Sequence, residues 1–325
     1  MNLNNLADIK DEAKMLGISN KLISEIEEGI KKGISYITAQ ERIKGDKDEY
    51  ILTPHVKQSS QSDYYYLNRF EVVKATMPPL EEGHKYMVIS GEKDEKGKFP
   101  VTSFTKLDDA IENFKKRETS AELAFGKDAA HKTKLASMEE GKINYVSPDF
   151  KRTLFNPPFP QIFWLQRGKG FTVEQAVNML EGRAVLRDDL LSTDGVPYKA
   201  WVTFDTEKPR DRNNNLVTRQ FNDPNYGFDL SKSLSEYKIK ELETPEKAEK
   251  FENAIRNGNR PLATVEKDGQ AVKVFVTAQV RYGKINFHDL DGKPEKREQF
   301  IKEPALAQNK VDKKVQQGHE QGIGI

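Results

Sequence analysis

The chain has 325 residues, of which 36% are apolar and 32% charged, and its 52 Lys+Arg against 51 Asp+Glu leave a net charge of +1. That length supports one large domain or two ordinary ones, and the lean apolar fraction predicts exposed helix, linker or tail beside the core. The neutral balance argues against a purely electrostatic nucleic-acid coat while leaving room for local basic faces, and the absence of Cys excludes disulfides, thiolate metal sites and cysteine nucleophiles.

The opening residues, MNLNNLADIKDEAKMLG, show neither the apolar core nor the cleavage pattern of a secretory leader. No window approaches about 18 consecutive apolar residues, so no membrane span is expected and the expected location is the cytoplasm. Leu3, Leu6, Ile9, Ala13 and Leu16 recur at helical spacing, as do Leu22, Ile23, Ile26 and Ile30, with Gly33 as a stop. Residues 1–57 therefore read as a helical hairpin and its connection. The polar run Lys57-Gln-Ser-Ser-Gln-Ser-Asp63 has the composition of a linker.

Tyr64 to Val73 reads as a strand, with His84 to Ser90 as its pairing partner. Thr105 is placed to cap a helix with Leu107, Ala110, Ile111 and Phe114 inward, and a second helix is expected from Asp128 to Glu140, stopped by Gly141. The clearest helix follows Thr172, where Thr172-Val-Glu-Gln175 is a capping box, Phe171 a staple, and Gly182 the left-handed stop. Tyr198 to Phe204 alternates as a half-buried strand. Thr244-Pro245 opens a helix that ends at Asn257-Gly258, and a hairpin turning at Asp268-Gly269 closes the series.

The expected fold is α+β, with antiparallel strand pairs, packed helices and the N-terminal helical hairpin. Residues 64–160 form a first module and 161–290 a second. The similar element order of 64–165 and 198–287 suggests a repeat. Residues 291–325, rich in Lys, Glu and Gln, read as a disordered tail.

Tyr64-Tyr-Tyr-Leu-Asn68, Phe163-Trp-Leu-Gln-Arg-Gly-Lys-Gly170, Leu180-Glu-Gly-Arg-Ala-Val185, Tyr198-Lys-Ala-Trp-Val202 and Tyr226-Gly-Phe-Asp-Leu230 carry a resemblance. They resemble a family of uncharacterised domains on conjugative transposons, plasmids and phage-like elements of Bacteroidota. Some members are joined to, or encoded near, a type IA topoisomerase. Similarity is strongest over residues 160–290 and thinner over 60–155, and the Pro148 to Pro160 stretch is longer and richer in proline than in relatives. The resemblance implies an accessory role on a mobile element and no particular reaction.

Two cationic groups are the candidate nucleic-acid contacts. Arg167 and Lys169 precede a helix N-terminus, where free amides favour phosphate, although the Walker and dinucleotide patterns are missing. A strand-to-helix turn requiring glycines accounts for the same residues. Arg183 and Arg187 follow the glycine stop, while Arg210, Arg212 and Arg219 surround a polar loop that reads as mobile. Interleaved acids make solvated hairpin charges the plainer explanation there. Tyr64, Tyr65 and Tyr66 suit either base stacking or a strand with two aromatics in the core.

The five histidines show no metal-ligand spacing, and His288 has an adjacent acid in Asp289. No cofactor or metal is expected, and an enzyme reading requires a His brought beside a carboxylate or a carboxylate pair in one pocket. The leading expectation is a non-enzymatic accessory protein that binds DNA, other nucleic acid or a nucleoprotein complex. The alternative is a binder of a protein partner or a nucleotide that antagonises a host defence system, with Trp164 and Trp201 lining a cleft.

Overall fold

The computed structural model describes residues 5–166, 169–267 and 269–302. It opens with helices α1 (Leu6–Met15) and α2 (Asn20–Lys31), followed by strands β1 (Tyr36–Thr38), β2 (Glu41–Lys44), β3 (Glu49–Gln58) and β4 (Tyr65–Lys74). Next come β5 (Lys85–Ser90), β6 (Val101–Phe104), α3 (Leu107–Lys115), β7 (Ala121–Gly126), β8 (Lys132–Glu139), β9 (Lys142–Val146) and α4 (Lys151–Phe155). Then follow β10 (Gln161–Trp164), α5 (Val173–Leu180), β11 (Val185–Leu191), β12 (Pro197–Phe204) and β13 (Thr218–Asp223). The last elements are α6 (Leu230–Ser235), α7 (Pro245–Arg256), β14 (Leu262–Lys267), β15 (Gln270–Gln279), β16 (Lys284–His288) and β17 (Pro294–Glu295). The fold is α+β, with antiparallel sheets, packed helices and an N-terminal helical pair. No helix among the described residues is long and apolar enough to cross a membrane.

The strands form four sheets: β1-β3-β4-β10 with β2 added on β3, then β11-β12-β13, β14-β15-β16-β17, and β6-β5-β7-β8-β9. The chain divides into two compact units. One holds residues 48–51 and 73–160; the other holds the described residues of 5–47, 52–72 and 161–302. The smaller unit packs α3 and α4 on the β5–β9 sheet around Val88, Phe114, Leu123, Ala136, Phe150 and Leu154. In the larger unit Trp201, Leu234, Ile255, Val276, Phe287 and Phe300 share one core.

This division separates the chain differently from modules of 64–160 and 161–290. The cause is a non-local pairing: β10 lies against β4, with Phe163 opposite Phe70 and their rings stacked 5.1 Å apart. Likewise β5 pairs with β6 and β7 rather than with the Tyr64–Val73 strand.

The local signals that depend on backbone chemistry alone are realised closely. Ser19 accepts from Leu22 N to cap α2, and Gly33 follows with φ +69°. Thr172 and Gln175 form the reciprocal capping box on α5. Pro245 occupies the first turn of α7, and Gly258 ends it at φ +80°. Leu3 and Asp268 lie outside the described residues.

Other expectations are corrected. Residues 132–146 form the β8–β9 hairpin, not a helix: Glu140 and Gly141 both have positive φ, as a tight hairpin turn requires. A register shift opposite Leu123/Ala124 lets the adjacent Leu135 and Ala136 both bury, which breaks the alternation that marks a strand in sequence. With that helix gone, the element orders of 64–165 and 198–287 no longer match. Lys106, without a side-chain bond, takes the N-cap of α3 instead of Thr105. Of the polar run 57–63, Lys57 and Gln58 complete β3 and residues 59–63 form the loop to β4, closed by Ser59 N donating to Tyr64 O. In the supposed tail, Phe300 is fully buried and Ile301 bridges Tyr237; residues 303–325 lie outside the described residues.

Candidate functional site

Each side chain of β1–β3–β4–β10 faces either the core or the opposite surface of its sheet, as strand geometry demands. Ile37 and Val56 are paired and buried on the core side, so their neighbours Tyr36, His55 and Lys57 take the other face. On β4 the burial alternation slips between Leu67 and Phe70, and both Asn68 and Arg69 avoid the core. Phe163 and Phe70 face inward, which turns the paired Trp164 and Arg69 outward. The result is a row of exposed aromatics on one sheet: Trp164 (60% exposed), Tyr66 (50%) and Tyr36 (49%), with Tyr64 beside them.

A polar series crosses the same face. Tyr36 Oη lies 2.5 Å from His55 Nδ1, and His55 Nε2 approaches Glu71 Oε1 at 3.1 Å, off the alignment of a full hydrogen bond. Arg69 Nη2 reaches the same Glu71 oxygen at 3.2 Å, and its guanidinium sits 5.2 Å from the Trp164 ring centre. His55, helped by Arg69, holds the Glu71 carboxyl below the usual carboxylate range against the opposing effect of burial. Glu71 is therefore ionised at neutral pH, and its charge fixes the orientation of both neighbours.

The loop after β12 closes this sheet's edge. Asn215 is buried and accepts from Ile162 N through Oδ1, while Gln161 accepts from Leu216 N. Asp211 caps the turn by accepting from Asn213 and Asn215 amides, which lowers its pKa. The loop expected to be mobile is thus anchored along β10. It presents exposed Arg210, whose guanidinium donates to Asn214 O, and exposed Arg212. Lys169, also exposed, closes a tight turn with Gln166 just after β10. Arg167 lies outside the described residues.

Three of the sequence-selected arginines are engaged within the protein. Arg183 reaches Asp46 (2.9 Å), Glu181 (2.8 Å), Gly258 O (2.5 Å) and Asn178, clasping the α5 C-terminus to the α7 C-terminus. Arg187 is buried, makes a two-point pair with Asp189 and lies 4.5 Å over Phe171. Arg219 holds the buried Asp205 through Nε and Nη2 and also meets Glu207, which Arg281 shares. These charges are already neutralised by carboxylates, which leaves them little attraction for a phosphate.

The tyrosine run resolves into one core side chain, Tyr65, and two exposed ones, Tyr64 and Tyr66. Trp201 is only 3% exposed and packs edge-on against Phe228, so it lines no cleft. His288 is pushed towards its neutral form by burial and by Arg260 and Lys47. Among the described residues no group of His, Asp and Glu is arranged to hold a metal ion.

Sequence reasoning missed His55, Lys57, Arg69 and Glu71, because alternation is the only local signal they carry and the β4 slip disrupts it. A separate concavity of about 600 Å³ is lined by Lys238, Lys240 and Lys302, by Glu243 and Glu266, and by the apolar Val265 among others.

Comparison of the chain with models of known protein families finds no match, and neither do comparisons with curated proteins or solved structures.

Proposed function

We propose that this chain is an accessory nucleic-acid-binding protein and that its ligand is a single strand lying across the β1–β3–β4–β10 face. One observation carries the reading: Tyr36, Tyr66 and Trp164 stand exposed on a single sheet surface together with Lys57, while Arg69, paired with Glu71, backs the Trp164 ring. Unpaired bases stack on aromatic faces, which duplex DNA cannot do without unstacking, and cations along the row meet the phosphates. Arg210, Arg212 and Lys169 extend the positive charge along the β10 edge. The resemblance to mobile-element domains supports a setting in which displaced single strands occur.

The test is fluorescence anisotropy on labelled single- and double-stranded oligonucleotides at about 50 and 200 mM salt. With about three to five phosphate contacts and a slope near 0.7 per contact for single strands, affinity falls about 20- to 130-fold across that interval. Trp164→Ala is expected to weaken binding by about 1–3 kcal/mol, the value of one stacked base. Equal affinity for duplex and single strand, or an unaffected Trp164→Ala variant, refutes the platform.

The concavity lined by Lys238, Lys240 and Lys302 favours a second reading, a nucleotide-sized anionic ligand in a pocket of ordinary ligand volume. That reading, with its proposed role against a host defence, predicts a thermal shift with nucleotides that Lys238→Ala abolishes and Trp164→Ala leaves intact.

A further inference from the structure

Stacking and phosphate attraction do not require the order in which Tyr36, His55 and Glu71 stand. A hydroxyl 2.5 Å from one imidazole nitrogen, with a carboxylate 3.1 Å from the other, is the arrangement of a nucleophile, its base and the group that orients the base. The Glu71 charge favours the proton on His55 Nε2, which leaves the Nδ1 lone pair to accept from the Tyr36 hydroxyl. His55 is buried while Tyr36 is half exposed, so the base is shielded and the tyrosine that it contacts reaches the surface. Lys57 stands directly opposite Tyr36 in the β1–β3 register and makes no ion pair among the described residues. Opposite residues in such a pair have Cβ atoms about 4.5–5.5 Å apart, which places an ammonium within reach of an anionic group at Tyr36 Oη.

We propose that Tyr36 is a nucleophile towards a phosphodiester of the bound single strand, with His55 as general base, Lys57 as the cation beside the phosphoryl oxygens and Glu71 as a positioning residue. The inference rests on the platform reading for its substrate. In the step, a bond forms between Tyr36 Oη and phosphorus while the phosphorus–oxygen bond to one nucleoside breaks. The Tyr36 proton passes to His55 Nδ1 and from there to the departing oxygen, which leaves as a free hydroxyl. One phosphodiester replaces another, so the step needs no oxidant or cofactor, and its reversal reseals the strand.

Two measurements on the full chain test this. The first uses a single-stranded oligonucleotide with a bridging phosphorothiolate, whose thiol leaving group reseals poorly, and reads adducts that survive denaturing electrophoresis. Wild type forms an adduct mapped to Tyr36, Tyr36→Phe forms none, and His55→Gln slows the adduct by about 100- to 10,000-fold, the usual contribution of a general base. The second needs no nucleic acid: an aryl sulfonyl fluoride, which captures activated phenols, is expected to label Tyr36 ahead of the others among the chain's 11 tyrosines. Glu71→Gln slows that labelling and Glu71→Asp restores part of it. Binding without an adduct overturns the nucleophile and leaves the platform standing. Absence of oligonucleotide binding overturns the platform and the substrate with it, and uniform labelling of the exposed tyrosines then overturns Tyr36 activation as well.

Discussion

Replacing Arg183 by Ala separates two explanations of the same side chain. If Arg183 is a phosphate contact, its loss shallows the salt dependence of oligonucleotide binding; if it is the clasp between the ends of α5 and α7, its loss destabilises the fold. The geometry favours the clasp. Glu181 keeps only 1% of its side-chain surface in solvent, and Arg183 lies 2.8 Å away as its charge partner. Asn178 and Gly258 O each also accept from the guanidinium. Removing one partner of such a pair strands a buried carboxylate, at a cost of about 3–5 kcal/mol. With a urea m-value of about 3 kcal/mol/M for a unit of this size, the midpoint falls by roughly 1–1.7 M. Both tryptophans, Trp164 and Trp201, belong to the larger unit, so their fluorescence reads its unfolding without interference from the smaller one. Arg183→Lys restores the charge but not the fork and is expected to recover less than half of the loss. An Arg183→Ala protein with the wild-type midpoint and a shallower salt slope refutes the clasp.

Gly258→Ala is expected to destabilise the same junction, because φ is +80° there and an added Cβ meets Asn178 Cβ and Val185 Cγ1 at 2.9 Å. Left-handed strain of about 1–2 kcal/mol and overpacking of about 1–3 sum to roughly 2–5 kcal/mol by thermal or urea unfolding, whereas Gly182→Ala, with open space around its Cβ, shows only the strain. The Arg210→Ala/Arg212→Ala pair is expected to reduce the salt slope for single strands by about 1.4, with unfolding unchanged; an unaltered slope removes the loop from the interface. Acid titration reports two of the depressed carboxyls. Lys10 and Lys31 lower Glu27 from 4.5 to about 2, and His55 lowers Glu71. Because both folded values lie below the unfolded ones, their stabilisation is complete above about pH 4.5 and disappears as the pH falls through the folded values. Glu27→Gln is therefore less stable than wild type at pH 6 and converges with it near pH 2; a constant difference over that interval contradicts the assignment.

The sequence by itself determined the features whose cause is local. The α5 capping box, the glycine stops at Gly33 and Gly258 and the proline start of α7 all follow from which backbone groups need partners and which residues tolerate positive φ, whereas the expected half-buried alternation of β12 gives way to consecutive burial of Ala200, Trp201 and Val202. These forces act within four or five residues and leave their mark in spacing. Tertiary structure alone decided what each strand pairs with. Residues 161–164 lie beside 69–72 because the Phe70 and Phe163 rings bury together, and no nearby residue announces that choice. The same non-local pairing gathers Tyr36, His55, Glu71, Arg69 and Trp164 from four strands into one row. Folding also neutralises Arg183 with the distant Asp46 and Arg219 with Asp205 across the β12–β13 pair, whereas Arg187 pairs with Asp189 only two residues on. A charge counts towards a ligand only after its intramolecular partners are known, and those partners are chosen by the packing of distant apolar side chains.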